Sequence, residues 1–331
     1  MILVTGGAGY IGVVLVEELL KRGEKVRVFD KLYFKEKPLE KFKDKVELIQ
    51  GDICQFDLSV LDGVKSVIHL GGLSNDPMAE FNPQATLKIN AQGTKELAQA
   101  CKRKGIHRFV YASSASIYDK GLSSGDILQD ERSKVAPSTA YSYSKFKGEE
   151  SLLELADKDF CPVILRQGTA YGFSHRMRYD LVVNTFVKDA FKEGRLTLFA
   201  EGKMWRPLID ITDVVEAYIL CLKAEEEKVR GEVFNLLFKN FQVLELAHCV
   251  KEALKDILPV EIVVEQSPKI VRSYRISAQK IEDVLGFKPC VSIASSVLNM
   301  VKKIREYNYT DFSNPWYYNI DWMRKVFGDK W

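Results

Sequence analysis

The chain has 331 residues, 46% hydrophobic and 28% charged, enough to bury a full core and, at this length, to form two domains. Lys and Arg total 48 against 45 Asp and Glu, a net charge of +3 that is too small and too dispersed for a nucleic-acid surface, so local basic clusters are expected to serve a small anionic ligand. Six scattered cysteines show neither metal-ligand nor redox spacing, no apolar run approaches a membrane span, and "MILVTGG" leaves no room for a signal peptide; a reduced, cytoplasmic setting without a metal is the expectation.

The first predicted strand, "ILVT", runs into the turn "VTGGAGYIG" and the helix "VVLVEELLKRG". Gly6, Gly9 and Gly12 have the spacing that lets a backbone turn tightly, approach a pyrophosphate and pack helix on strand, with Tyr10 and Ile11 at the helix N-terminus facing the anion. The next strand, "KVRVFD", ends at Asp30, where a carboxylate accepts bonds from two ribose hydroxyls and repels a 2′-phosphate. That favours NAD over NADP, with Lys31 beside it as the opposing charge. The third strand, "VELIQ", leads into "GDI", placing Asp52 at an adenine amino group and Ile53 over the ring. The fourth, "SVIHLGG", ends in Leu70, Gly71 and Gly72, small enough for backbone to approach the same cofactor.

Helical spacing near 83–104, the strand "RFVYAS", a helix near 140–157 and the strand "PVILRQ" continue the alternation. The rhythm predicts an α/β protein with a Rossmann-type, doubly wound parallel sheet. From Gly172 the pattern loosens into a smaller α+β lobe, with helices at about 180–192, 212–223, 242–254, 277–285 and 293–307 and short strands near Leu196, Leu208, Val233 and Ile262. The expected division is a cofactor domain over 1–170 with a return segment near 205–238, and a substrate lobe over 171–204 and 239–331. The aromatic tail from Tyr307 reads as a strap on the second lobe, or alternatively as a dimer contact or a lid.

"AYSYSK" opens the helix near 140–157, and helix geometry separates its two tyrosines. Tyr141 lies four residues before Lys145 and shares its face; Tyr143, two residues away, points to the opposite side. Glycine turn, Asp30, "GDI", "HLGG", "SSASIY" and Tyr141-x-x-x-Lys145, in this order, resemble the extended short-chain dehydrogenase/reductase superfamily of nucleotide-sugar epimerases and dehydratases. The resemblance implies Ser114 as third member of a triad with Tyr141 and Lys145, Ser113 and Ser116 being close enough to compete. It further implies Asn90 in "INAQGT" as cofactor contact and helix-positioning residue, Gln167 and Gly168 beside the nicotinamide, and a homodimer paired through the helices near 83–104 and 140–157. A tyrosine of pKa about 10 is a poor base near neutrality, so Lys145 and the positive nicotinamide are expected to favour its phenolate.

Members that eliminate water resemble one another in an Asp-Glu pair where this chain has Ala115 and Ser116, and 3,5-epimerases place a cysteine at Ala115. What the resemblance leaves is oxidation at one carbon of a nucleotide-diphosphate sugar, most simply a 4-epimerisation, with a 4-dehydrogenase or ketoreductase, for example on a GDP-linked sugar, as alternative, and a non-catalytic NAD-sensing regulator as a remote one. The substrate grip is expected from Asn184, Arg206 and Arg272, with Ser116 and Thr169 nearby. The charges from His175 to Arg178 read equally as solvated loop or substrate contact.

Overall fold

The computed structural model describes residues 1–119, 127–265 and 272–328. The chain enters the interior of its main sheet, where the strand Ile2–Thr5, apolar but for Thr5, is buried throughout. It then winds outward to Val26–Asp30 and Val46–Gln50 on one side. Next it reverses, adding Ser66–His69, Arg108–Ser114, Cys161–Gln167 and finally Glu232–Leu236 on the other. All seven strands are parallel, with Val4 opposite both Val28 and Ile68. Successive residues serve opposite faces, as a strand's two-residue period requires: Val4, Val28 and Ile68 join one core, Leu3, Phe29 and Val67 the other. The reversal between Ile2–Thr5 and Ser66–His69 opens a crevice at the carboxyl ends of the strands.

Of the expected return segment, Glu232–Leu236 completes the main sheet, whereas Trp205–Asp210 pairs with Thr169–Tyr171 and Lys239–Gln242 in a separate three-stranded sheet. The second lobe has its own core, including Tyr179, Val183, Leu196, Leu246 and Met300. Its helices are Val182–Glu193, Val243–Leu254 and Ile293–Glu306, whereas Gln279–Leu285 lies on the main sheet, with Ile281 in the core that holds Val4. Ile211–Lys223 packs instead on the main sheet, where Val214 and Tyr218 enter the first core.

The helix expected near 83–104 is continuous but widens at its middle. Pro83–Leu87 and Thr94–Arg103 flank a wider π-helical turn, Lys88–Gly93, whose Asn90 carbonyl accepts from the Thr94 hydroxyl at 2.7 Å. The tail also differs from a strap on one lobe. Phe312 and Tyr317 pack on the second lobe, but the helix Asn319–Phe327 crosses to the first, where Trp322 and Met323 meet Leu73 and Met78. The indoles of Trp316 and Trp322 donate to the carbonyls of Phe34 and Tyr33 at 3.0 and 2.7 Å. Residues 329–331 of that tail lie outside the described residues.

Candidate active site

The crevice is a cleft of about 570 Å³ between the lobes. Its floor is the glycine turn. Gly6 has φ +69°, and a Cβ there would stand 2.8 Å from the Gly71 backbone; one on Gly12 would stand 2.2 Å from the Gly6 carbonyl. The helix Tyr10–Lys21 that follows has no side-chain N-cap and no acid in its first turn, so its amino end presents positive dipole to the cleft. Asp30 closes this floor, accepting from the Ala8 and Leu32 N–H groups at 3.0 and 2.7 Å. Burial pushes its carboxyl above the ordinary value while those two donors pull it back. Asp52 is also desolvated, but the Cys54 N–H and Lys31, 3.1 Å away, hold it below the usual carboxylate range.

Behind the floor is a relay that no sequence spacing signals. Fully buried His69 lies between the hydroxyls of Thr5 (2.6 Å) and Thr94 (2.9 Å), and Thr5 accepts from the Gly71 N–H at 3.1 Å. Burial, reinforced by Lys145, pushes the imidazole down to about 3, so it is neutral and holds the "HLGG" backbone in place.

At the other end, Thr139 and Ser142 form a capping box that starts the helix Ala140–Leu155. Tyr141 and Lys145 face the cleft, and Tyr143 is exposed with Lys147 over its ring. Lys145 donates to the Ala112 carbonyl at 2.8 Å, and burial pushes its ammonium down to about 8 against the pull of Glu149. The expectation of a phenol made acidic by Lys145 needs correction. Burial raises Tyr141 above its ordinary value, and the groups that pull it down are the Ser114 hydroxyl, the Arg178 guanidinium and the Asn75 backbone.

Ser114 donates to Ser116 at 2.9 Å, whereas the Ser113 hydroxyl is spent on Glu149. Glu149 in turn accepts from Arg166 at 2.7 to 3.1 Å, and Arg166 donates to Tyr118 at 2.7 Å. This buried network ties the helix Ala140–Leu155 to the strands Arg108–Ser114 and Cys161–Gln167 beneath the site. Arg166, a charge within the apolar run "PVILRQ", is a sign that sequence reasoning passed over.

Gly6, Gly9, Tyr10, Ile11, Gly12, Asp30, Lys31, Asp52, Ile53, Leu70, Gly71 and Gly72 all line the cleft. So do Ser114, Ser116, Gln167, Gly168, Thr169, Arg206 and Arg272. Two expected residues are not on its wall. Asn90 spends its amide on both backbone groups of Leu73 and on Ser144, at 2.8 to 3.0 Å, so it positions the loop after "HLGG" and does not face a cofactor. Asn184 spends its own on the Gly172 N–H, the Arg178 carbonyl and the Tyr10 hydroxyl, at 2.8 to 3.1 Å, which leaves no donor for a diphosphate.

Nor are the charges after His175 solvated. Arg176 and Arg178 are buried in the cleft wall, Arg178 holding Asp180 through two bonds of 2.9 Å. His175 stands off the wall, edge-on to Tyr307 and Phe173. Arg272 pairs with Asp76, and with Asp119 at 3.2 Å, while its carbonyl accepts from Arg206. The wall carboxylates among the described residues are Asp30, Asp52, Asp76 and Asp180, and each is already bonded.

The model of the NAD dependent epimerase/dehydratase family matches residues 2–236. UDP-glucuronic acid decarboxylase 2 of Arabidopsis thaliana is 28% identical over 325 residues, covering 94% of this chain and 69% of that protein. A putative UDP-glucose 4-epimerase of Methanocaldococcus jannaschii is 27% identical, over 94% of this chain and 100% of its own. Among solved structures, MoeE5 in complex with UDP-glucuronic acid and NAD superposes with a TM-score of 0.79 at 25% identity, over 92% of this chain and 99% of that one.

Proposed function

The chain belongs to the NAD-dependent epimerase/dehydratase family, and on that premise we propose that it is a nucleotide-sugar 4-epimerase working through a transient 4-keto sugar. The family's cofactor fits the residues present. Glycines that admit no Cβ, an uncapped helix end and a carboxylate held at the second strand are a dinucleotide cradle. Bound there, NAD supplies the acceptor and donor of a hydride. The protein's own part is the proton: Tyr141 takes it from the carbon-4 hydroxyl and later returns it, Ser114 hydrogen-bonds the same oxygen as it gains carbonyl character, and Lys145 holds the ribose edge.

One observation carries the choice of 4-epimerase: beside the Ser114–Tyr141 contact no unpaired acid or base stands ready for a second step among the described residues. Ala115 and Ser116 occupy the neighbouring positions, and the nearby carboxylates Asp76 and Asp180 are paired with Arg272 and Arg178. Without such a group a ketose that carries no carboxylate β to its carbonyl keeps its substituents, and turning in the cleft before it is reduced inverts carbon 4. Arg206 and Arg272 are our candidates for the substrate diphosphate, and the names of the relatives favour a UDP-sugar. We further infer a homodimer through the helix Ala140–Leu155, where Tyr143 is 42% and Leu153 39% exposed. No described helix is long and apolar enough to cross a membrane.

The test is incubation with UDP-, GDP-, dTDP- and CDP-sugars, including uronic acids, read by NMR. The expected product is the carbon-4 epimer with no net change in NAD(H). Accumulating NADH indicates a dehydrogenase, carbon dioxide a decarboxylase, and a 4-keto-6-deoxy sugar a dehydratase. Tyr141→Phe should lower turnover about 10²- to 10⁴-fold with cofactor still bound; unchanged behaviour in every assay points to a regulator.

A further inference from the structure

Arg176 is a charge of the cleft wall with no paired carboxylate among the described residues. It is 1% exposed, and its guanidinium lies 3.8 Å over the Phe34 ring, with the Trp316 ring 5.1 Å away. Its Nη atoms donate to the Met177 carbonyl at 2.7 Å and the Asn319 side-chain oxygen at 2.8 Å, both uncharged acceptors. Its Nε has no hydrogen-bond partner. Among the described residues no carboxylate reaches it within ion-pair distance, and the acid that acts on it, Asp180, gives both oxygens to Arg178. Burial and Arg178 together push the guanidinium down to about 9. A buried cation with an orphaned donor is costly unless an anion joins it.

Two anchors say which half of the cleft this is. The Ser174 hydroxyl donates to the Tyr10 carbonyl at 2.7 Å and accepts from the Arg176 N–H at 3.2 Å, so the loop rides on the amino end of the first helix. Phe34, under the guanidinium, follows Asp30 by one short loop. Arg176 therefore lies between the glycine turn and the Asp30 loop. We propose that Arg176, presented by Asn319 and Trp316 of the C-terminal segment, is an additional binding residue for the diphosphate of the dinucleotide. The planar donor fork suits paired phosphate oxygens. The inference rests on the NAD reading above and assigns the tail a part in it: the segment that crosses between the lobes holds a charge that the cofactor neutralises.

Calorimetric titration of the full-length protein, stripped of nucleotide, tests this with NAD, ADP-ribose, adenosine and UDP as probes. Wild type that binds no NAD ends the cofactor reading itself. Given wild-type binding, Arg176→Met should weaken NAD and ADP-ribose about tenfold or more, leave adenosine and UDP within about twofold, and reduce the salt dependence of NAD binding. Asn319→Asp is the second variant: it sets a carboxylate on the atom that already accepts from Arg176, and it should weaken NAD similarly without lowering the unfolding temperature. Unchanged NAD affinity in both variants overturns the proposal, because a structural arginine would shift stability alone. Loss of UDP affinity with NAD unchanged also overturns it and gives the residue to the nucleotide sugar.

Discussion

At the scale of single residues, the site is built from ionisable groups held away from their comfortable charge states. Tyr141 is pushed toward the neutral phenol and Lys145 toward the neutral amine, both by burial. The sign for Lys145 is definite. With a folded value of about 8 against 10.5 for a lysine in the unfolded chain, its charge destabilises the protein below about pH 8, and that cost fades as pH rises from 8 to 10.5. Lys145→Met should therefore abolish turnover yet raise the stability of the nucleotide-free protein by about 1–3 kcal/mol at pH 7. Urea melts at pH 7 and pH 10 check it: the gain should shrink at the higher pH, and a loss of stability at pH 7 would show that the Ala112 contact outweighs the desolvation. The spacing of "AYSYSK" makes the Tyr141–Lys145 face readable in advance, since a helix has one period. The direction of the tyrosine shift was not readable, because it depends on how deeply the phenol is buried and on Arg178, brought near by a loop from the other lobe.

At the scale of elements, the helix Ala140–Leu155 does two jobs. Its first two turns carry Tyr141 and Lys145, to which we assign the proton and the ribose, and its third carries Glu149, buried against Arg166 from the neighbouring strand. Glu149→Gln leaves the guanidinium without its counter-charge and should cost about 3–5 kcal/mol. Replacing both partners by Leu and Met should cost less than that single change, measured by chemical denaturation; an additive result would mean the pair does not act as a unit. The strands and most helices were legible because apolar runs and turn glycines are local. The π turn at Lys88–Gly93 was not, since it follows from one hydroxyl taking one carbonyl. Asn184 misled for a related reason: an asparagine on a helix facing a cleft reads as a ligand, and only three dimensions show its amide spent on Gly172 and Arg178.

At the scale of the molecule, a seven-stranded parallel sheet, a second lobe and a crossing tail enclose one cleft, with the cofactor cradle at one end and a phenol, an amine and a hydroxyl at the other. The wound parallel sheet was visible in the chain; what closes the cleft was not. Arg272 reaches back to Asp76 and Asp119, and the tail reaches back to Tyr33 and Phe34, contacts between residues far apart in sequence with no shared pattern. The central claim is that hydride leaves carbon 4 and returns to it within one closed cycle. Substrate labelled with deuterium at carbon 4, turned over in ordinary water and followed by NMR, tests it most directly. The account predicts an epimer that keeps its deuterium at carbon 4 and no solvent hydrogen at carbon 5; label lost to water, or found in NADH released to solution, would contradict it.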